Sequence, residues 1–205
     1  MSELVEPHPL LIEYYVKVQA LAAALNGDTT EFKMAGEWHY IESNIEFNIF
    51  LLRRLKELDL LPKSPVRICD CGIGLGTIMW DLYLQSKEIA DYEFHFVGIE
   101  KHRPYIDCFE EELRSYWGAD LELIRDDLMA HNLSSYNFIW IFAPYNHRDK
   151  MMPFIEKVID EMPQGAIAFG IDQWRIMEYG SEALKSKLSL GEFHKVDELH
   201  LFKKL

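Results

Sequence analysis

Apolar side chains recur at spacings of three and four residues in one stretch near the amino terminus, and a second stretch begins with a helix-capping signal. The first stretch, Pro9–Leu25, is followed by Asn26-Gly27, a pair that commonly ends a helix. The second stretch, residues 43–60, begins with a serine whose third following residue is Glu46, as in a capping box. The pattern therefore predicts two helices, and the proline-containing segment 61–65 predicts a boundary after them.

Beyond residue 65, short runs rich in β-branched and aromatic residues alternate with helical patterns. Such alternation predicts a parallel sheet with helices on both faces. Only two residues separate the last two apolar runs, too few for a crossover helix, so we expect them to form an antiparallel hairpin at one edge. The predicted strands are 66–69, 94–99, 121–124, 138–142, 166–171, 193–196 and 199–205, and the predicted helices are 77–87, 105–117, 150–162 and 181–188.

Composition favours a folded globular protein with an acidic surface. The 205 residues are 49% hydrophobic and 27% charged, and 34 acidic against 21 basic residues give a formal net charge of −13 at pH 7. The acid excess is present on both sides of residue 62, so neither part is basic enough to bind phosphates or an anionic membrane through its overall charge. We therefore expect a small molecule or a protein as the partner, and we disfavour nucleic acid.

The amino-terminal residues carry acids where a secretory or organellar leader would carry bases, and no apolar run approaches the ~18 residues of a membrane span. These features predict a cytoplasmic protein. Cys69, Cys71 and Cys108 form no CxxC pair and no even disulfide set, so we expect reduced thiols. We expect no metal, because the chain has no HExxH motif or paired metal-ligand spacing.

The most informative segment is DCGIGLG, residues 70–76, which follows a predicted strand and leads into a predicted helix. Glycines there allow unusual backbone angles and let a ligand approach the backbone at the helix amino terminus. The next predicted strand ends at Glu100, where an acid can accept both hydroxyls of a ribose. Asp70, just before the loop, would repel a pyrophosphate but suits a ligand with a cationic amino-acid end.

These residues resemble the DxGxGxG and acidic-loop motifs of class I S-adenosylmethionine-dependent methyltransferases, and the resemblance covers about residues 66–205. It implies an α/β, Rossmann-like class I methyltransferase fold, whose seven-stranded sheet is mostly parallel with an antiparallel C-terminal hairpin. It further implies a methyltransferase domain over residues 63–205 and an N-terminal helical cap or lid over residues 1–62.

The resemblance also implies S-adenosylmethionine as the cofactor and transfer of its methyl group to an acceptor. Asp70 would orient the ammonium of the methionine part, Glu100 would hold the ribose, and Asp127, with Asp126 as the fallback, would meet the adenine amine. The glycines that would approach the methionine part are Gly72, Gly74 and Gly76.

The segment Phe-Ala-Pro-Tyr, residues 142–145, half resembles the Asn/Asp-Pro-Pro-Tyr loop of amino-group methyltransferases. Ala143 replaces one proline and Phe142 replaces the polar residue, so we do not assign exocyclic-amine chemistry. The resemblance implies that Phe142 and Tyr145 line the methyl-transfer pocket, with Phe142 also touching the cofactor. The candidate general bases in predicted loops are His39, His102 and His147.

Two other functions remain open from the sequence. A nicotinamide-dependent oxidoreductase would need a GxGxxG turn without the preceding Asp70, and this chain has GxGxG. A cofactor-binding interaction subunit without catalysis would keep the same pocket, because fold does not imply activity.

Overall fold

The computed structural model describes residues 8–25, 50–142, 144–145, 148–170, 182–196 and 199–205. The helices are α1 (Pro9–Leu25), α2 (Leu51–Glu57), α3 (Thr77–Ser86), α4 (Arg103–Cys108), α5 (Arg114–Trp117), α6 (Arg148–Glu161) and α7 (Glu182–Leu188), and a π-helical turn, Phe109–Leu113, joins α4 to α5. The strands are β1 (Val66–Cys71), β2 (Phe94–Glu100), β3 (Leu121–Arg125), β4 (Phe138–Ile141), β5 (Ile167–Gly170), β6 (Gly191–Val196) and β7 (Leu199–Lys204).

The described strands form one seven-stranded sheet in the order β3-β2-β1-β4-β5-β7-β6. Strands β1 to β5 pair in parallel, whereas β7 pairs antiparallel with both β5 and β6. This arrangement confirms the predicted fold class, including the hairpin at the C-terminal end. The hairpin is antiparallel because a two-residue connection can only reverse the chain direction.

Both faces of the sheet are covered, which explains why the central strands are apolar at nearly every position. Side chains at alternate positions, such as Ile68 on β1 and Trp140 on β4, lie in a core cluster with residues of α1, α2 and α3. The intervening positions, such as Cys69 and Ile139, lie in a second cluster with residues of α6 and α7. Cys69 and Cys71 are buried free thiols in that second cluster, and Cys108 is a partly exposed free thiol.

Helix α1 packs through one stripe of its surface, as the periodicity predicted. The stripe is buried and consists of Leu11, Tyr14, Val18 and Ala22. The indole N–H of Trp80 on α3 donates to the carbonyl oxygen of Leu10 at 3.2 Å. The predicted division into a cap over residues 1–62 and a domain over residues 63–205 stays a prediction.

Helix α2 ends three residues earlier than the sequence pattern predicted. Asp59 has a left-handed backbone, with φ of 56°, and its N–H donates to the carbonyl oxygen of Lys56. The N–H of Leu60 donates to the carbonyl oxygen of Leu55. This pair of bonds is a Schellman motif, which ends a helix even where the apolar pattern continues. The predicted cap, Ser43 with Glu46, lies outside the described residues.

Two kinds of feature do not occur among the residues that the structure describes. No helix there is long and apolar enough to cross a membrane. No group of three or more histidine, cysteine, aspartate or glutamate side chains lies within reach of one metal ion in those ranges.

The buried carboxyl of Asp81 on α3 makes the stability of the protein depend on pH. It is 4% exposed, and within the described residues its Oδ2 atom has no hydrogen-bond partner. Burial raises the pKa of Asp81 to about 6, although a hydrogen bond from Gln85 opposes this rise. The folded protein therefore holds this proton more tightly than the unfolded chain, and it loses stability as pH rises from about 4 through 6.

We expect Asp81→Asn to increase the free energy of unfolding by about 1–3 kcal/mol at pH 8 and to change it little at pH 4. Urea titrations of both proteins at a series of pH values provide the measurement. Asp107→Asn, at a carboxylate whose side chain is 52% exposed, is the control and should have little effect at either pH. An equal effect of Asp81→Asn at both pH values would contradict this account.

Candidate functional site

The sheet order opens a crevice at the carboxyl ends of β1 and β4. From β1 the chain proceeds outward through β2 and β3 on one side, and later through β4 and β5 on the other. In open α/β sheets, ligands bind at such a switch point, where the loops leaving neighbouring strands turn in opposite directions. The predicted glycine loop leaves β1 at this position, and the loop that contains Pro144 leaves β4 beside it.

The glycine loop has the backbone geometry that its sequence predicted. Gly72, Gly74 and Gly76 have φ values of 88°, 53° and 73°, in the left-handed region that side chains with a Cβ disfavour. Gly76 is the residue before the first turn of α3. A Cβ on Gly72 would lie 3.5 Å from the Cβ of Pro144, so the β1 and β4 loops are in close contact.

Gly98 on β2 is part of this site, and the sequence reasoning gave it no role. A Cβ on Gly98 would lie closer than 3.0 Å to the Cδ1 atom of Ile73, the loop residue between two of the glycines. The missing side chain on β2 thus makes the space into which Ile73 packs. A glycine within an otherwise apolar strand is the signal that could have identified this contact, because it marks close backbone approach.

Asp70 is buried near the end of β1, at 5% exposure. Its neighbours in register are Gly98 on β2 and Trp140 on β4, so it lies on the face of the sheet that packs against α3. Burial, together with the nearby Glu100 carboxyl, raises the pKa of Asp70 to about 8. At neutral pH this carboxyl therefore carries a proton and can become ionised when a cation binds beside it.

Glu100 links the end of β2 to the glycine loop. Its Oε2 atom accepts from the Gly74 N–H at 3.2 Å, and its Oε1 atom accepts from the N–H groups of Lys101 and His102, both at 2.9 Å. Burial raises the pKa of Glu100, although these three hydrogen bonds and His102 oppose the rise. A carboxylate can accept about four hydrogen bonds, so Glu100 keeps capacity for one more donor.

The two neighbouring aspartates in the loop after β3 have different hydrogen-bond partners. Asp126 accepts from the Asp127 N–H at 2.8 Å through Oδ1, and its Oδ2 atom lies 2.9 Å from Nδ1 of His131. Asp127 accepts from the Met129 N–H at 2.8 Å through Oδ1, and its Oδ2 atom lies 3.6 Å from the Lys101 ammonium. No hydrogen bond within the described residues uses the Leu128 N–H.

An open cleft of 610 Å³ lies between this loop and α6. Asp127 lines the cleft, together with Met129, which is 44% exposed, and Tyr145. Asp126 does not belong to the lining. The structure therefore brings Asp127 and Tyr145 to one cleft and directs the Asp126 side chain towards His131.

The other predicted site residues have different surroundings. Phe142 is half-buried and packs against the core cluster that contains α1 and α3. Tyr145 is 6% exposed and meets Phe154 of α6 edge-on, with ring centroids 5.6 Å apart. The two aromatic residues thus belong to opposite faces of the sheet. His102 precedes the first turn of α4, and the other two candidate bases, His39 and His147, lie outside the described residues.

The packing of Ile73 on Gly98 can be tested by a double-mutant cycle. We expect Gly98→Ala to destabilise the protein by about 1–3 kcal/mol, because the new methyl group overlaps the Ile73 side chain. In an Ile73→Ala background the same substitution should cost clearly less, since the overlapping atoms are gone. Denaturant unfolding of the four proteins measures both costs, and equal costs in the two backgrounds would refute the proposed packing.

Comparison with known proteins was informative only at the level of three-dimensional structure. No protein-family model matches the chain, and no curated protein sequence matches it. A Pyrococcus horikoshii protein assigned as an RNA methyltransferase has a TM-score of 0.57 at 14% identity, over 93% of this chain and 99% of that one.

Two further solved structures are similar. A Listeria monocytogenes protein assigned as a class I S-adenosylmethionine-dependent methyltransferase has a TM-score of 0.59 at 16% identity, over 95% of this chain and 68% of that one. A Methanococcus maripaludis protein assigned as an S-adenosyl-L-methionine-dependent methyltransferase has a TM-score of 0.57 at 10% identity, over 100% of this chain and 97% of that one. The chain therefore has the Rossmann-like fold of class I methyltransferases.

Proposed function

We propose that this protein is an S-adenosylmethionine-dependent methyltransferase that acts on a small molecule. The observation that carries the proposal is a row of three acids, Asp70, Glu100 and Asp127, at or just beyond the carboxyl ends of β1, β2 and β3. These strands are neighbours in the sheet, and neighbouring strands lie about 4.8 Å apart. The row therefore extends over roughly 10 Å, which suits an elongated nucleoside with a cationic end.

The same row of acids disfavours a dinucleotide. A pyrophosphate at the glycine loop would lie beside the buried carboxyls of Asp70 and Glu100, where it would raise the pKa of both further and gain no attraction from either. An ammonium beside Asp70 has the opposite effect, because it stabilises the ionised carboxylate. The electrostatics of the site thus favour the methionine end of S-adenosylmethionine over the phosphates of a nicotinamide cofactor.

The remaining polar groups fit the other parts of this cofactor. Glu100 has capacity for one further donor, such as a ribose hydroxyl. Asp127 offers an acceptor and the adjacent Leu128 N–H offers a donor, a pair that complements the amine and the neighbouring ring nitrogen of adenine. Met129 supplies an exposed apolar surface in the same cleft for a planar base.

S-adenosylmethionine, when bound, supplies a methyl group that its sulfonium has already activated. The protein then has to align the acceptor with that methyl group and exclude water. Pro144 contacts the glycine loop, and Phe142 packs against the core cluster that contains Ile73 of that loop, so we assign Phe142 and Pro144 to the wall of the methyl-transfer pocket. Tyr145 lies on the other face of the sheet and lines the cleft beside α6. We assign no general base.

The charge of the chain supports a small-molecule acceptor. A net charge of −13 opposes the approach of RNA, although one protein of similar fold is assigned as an RNA methyltransferase. A protein acceptor with basic character is the alternative that the charge leaves open.

Calorimetric titration of the purified protein tests the proposal. We expect S-adenosylmethionine and S-adenosylhomocysteine to bind and reduced nicotinamide dinucleotide not to bind, because only the first two present a cation to Asp70. Binding of the nicotinamide cofactor alone would instead favour an oxidoreductase. Binding of S-adenosylmethionine without turnover over a broad panel of acceptors would favour a non-catalytic subunit.

The raised pKa of Asp70 predicts how cofactor binding depends on pH. Its pKa of about 8 means that a bound ammonium must displace a proton at lower pH, so affinity should rise between pH 6 and 7.5. The rise should approach about tenfold per pH unit, with about one proton released per cofactor bound. Titrations in buffers of different ionisation enthalpy count that proton. The Asp70→Asn variant should bind about tenfold more weakly at pH 7.5 and release no proton; undiminished release would exclude Asp70 as its source.

A further inference from the structure

Tyr14 of α1 contacts the glycine loop, although α1 precedes the alternating strands and helices in the chain. Its hydroxyl donates to the carbonyl oxygen of Leu75 at 2.8 Å, across 61 residues of sequence. Leu75 lies between Gly74 and Gly76, and its carbonyl precedes the first turn of α3. A buried carbonyl at that position needs a partner from elsewhere, and here the partner is a phenol.

A second hydrogen bond fixes the direction of this donation. The indole N–H of Trp117, at the end of α5, donates to the Tyr14 oxygen at 3.2 Å. An indole N–H can only donate, so the Tyr14 oxygen accepts there and its own hydrogen is available for Leu75. Three parts of the chain, α5, α1 and the glycine loop, are thereby joined in one chain of hydrogen bonds.

The Tyr14 side chain has little freedom to move. It is 0% exposed, its ring stacks on Trp80 with centroids 5.2 Å apart, and Tyr116 meets it edge-on at the same distance. The hydroxyl also closes the space beside Gly76, since a Cβ on that glycine would lie 3.2 Å from it. The phenol therefore acts as a rigid support for the loop.

Tyr14 holds one side of the peptide group between Leu75 and Gly76, and the loop itself holds the other. The Gly76 N–H donates to the carbonyl oxygen of Ile73 at 2.8 Å, so both ends of this peptide group are fixed. On one side of it lies Gly74, whose N–H is bound by Glu100, and on the other lies the first turn of α3. Rotation of this peptide group would displace the backbone that meets the methionine part of the cofactor.

We propose that Tyr14 is a positioning residue of the cofactor site, which sets the shape of the glycine loop through the Leu75 carbonyl before the cofactor binds. The inference rests on the proposed function and extends it, because it makes α1 a functional part of the cofactor site. Tyr14 touches neither cofactor nor acceptor in this account and acts only through the loop.

The test compares Tyr14→Phe with Tyr116→Phe. Each substitution removes one phenol hydroxyl that takes part in packing α1, but the Tyr116 hydroxyl donates to the exposed Glu13 at 3.0 Å and does not touch the loop. In calorimetric titration with S-adenosylhomocysteine, we expect Tyr14→Phe to weaken binding about three- to tenfold, the effect of one hydrogen bond, and Tyr116→Phe to leave it unchanged.

Amide hydrogen exchange in the ligand-free proteins provides a readout that needs no cofactor. We expect the Gly76 N–H to exchange about three- to tenfold faster in Tyr14→Phe than in the wild type, with no change in Tyr116→Phe, as measured by NMR. Wild-type affinity and exchange in Tyr14→Phe, or equal effects of the two variants, would overturn the proposal.

The two measurements also separate this inference from the proposed function. A wild-type protein that fails to bind S-adenosylhomocysteine would overturn the proposed function and, with it, the role of Tyr14 towards the cofactor. Exchange at Gly76 would still decide whether Tyr14 holds the loop. Normal binding by the wild type with unaffected binding by Tyr14→Phe would overturn the positioning role alone.

Discussion

The site depends on one carbonyl group, that of Ile99 near the end of β2. It accepts hydrogen bonds from the N–H groups of Gly72 and Ile73, at 2.9 and 3.1 Å, and so turns the chain leaving β1 back across β2. This turn places Ile73 over Gly98 and leads into α3 at Gly76. It also brings Gly74 within reach of Glu100, so one local constraint fixes the loop, the start of the helix and the acid beside them.

The acids of this region share an environment that opposes their ionisation. Asp70, Glu100 and Asp81 are each less than 10% exposed, and burial raises the pKa of all three. Buried acids of this kind destabilise a folded protein at neutral pH, and groups with such shifted pKa values concentrate at functional sites. For Asp70 and Glu100 a cationic ligand would relieve the penalty.

The connection between β3 and β4 shows how a loop can take the place of a crossover helix. No described residue between Arg125 and Phe138 is helical, yet Leu133 and Tyr136 in this loop are buried against the sheet. His131 lies between Asp126 and Tyr136, at 2.9 and 3.0 Å, and so ties the start of the loop to its end. These contacts hold the loop in place, with Asp127 and Met129 lining the cleft.

The sequence alone determined the alternation of strands and helices, the terminal hairpin, the glycine loop and the acids at the strand ends. These features are local: hydrophobic periodicity, loop length and glycine positions act within a few residues of the chain. Tertiary structure decided which aspartate of the Asp126-Asp127 pair lines the cleft, how Ile73 packs on Gly98, and that Tyr14 supports the glycine loop. It also separated Phe142 from Tyr145, which the sequence had grouped together. Each of these outcomes depends on contacts between residues that are distant in sequence. A pattern of neighbouring residues does not tell which distant partner satisfies a buried hydrogen bond or fills a space in the core.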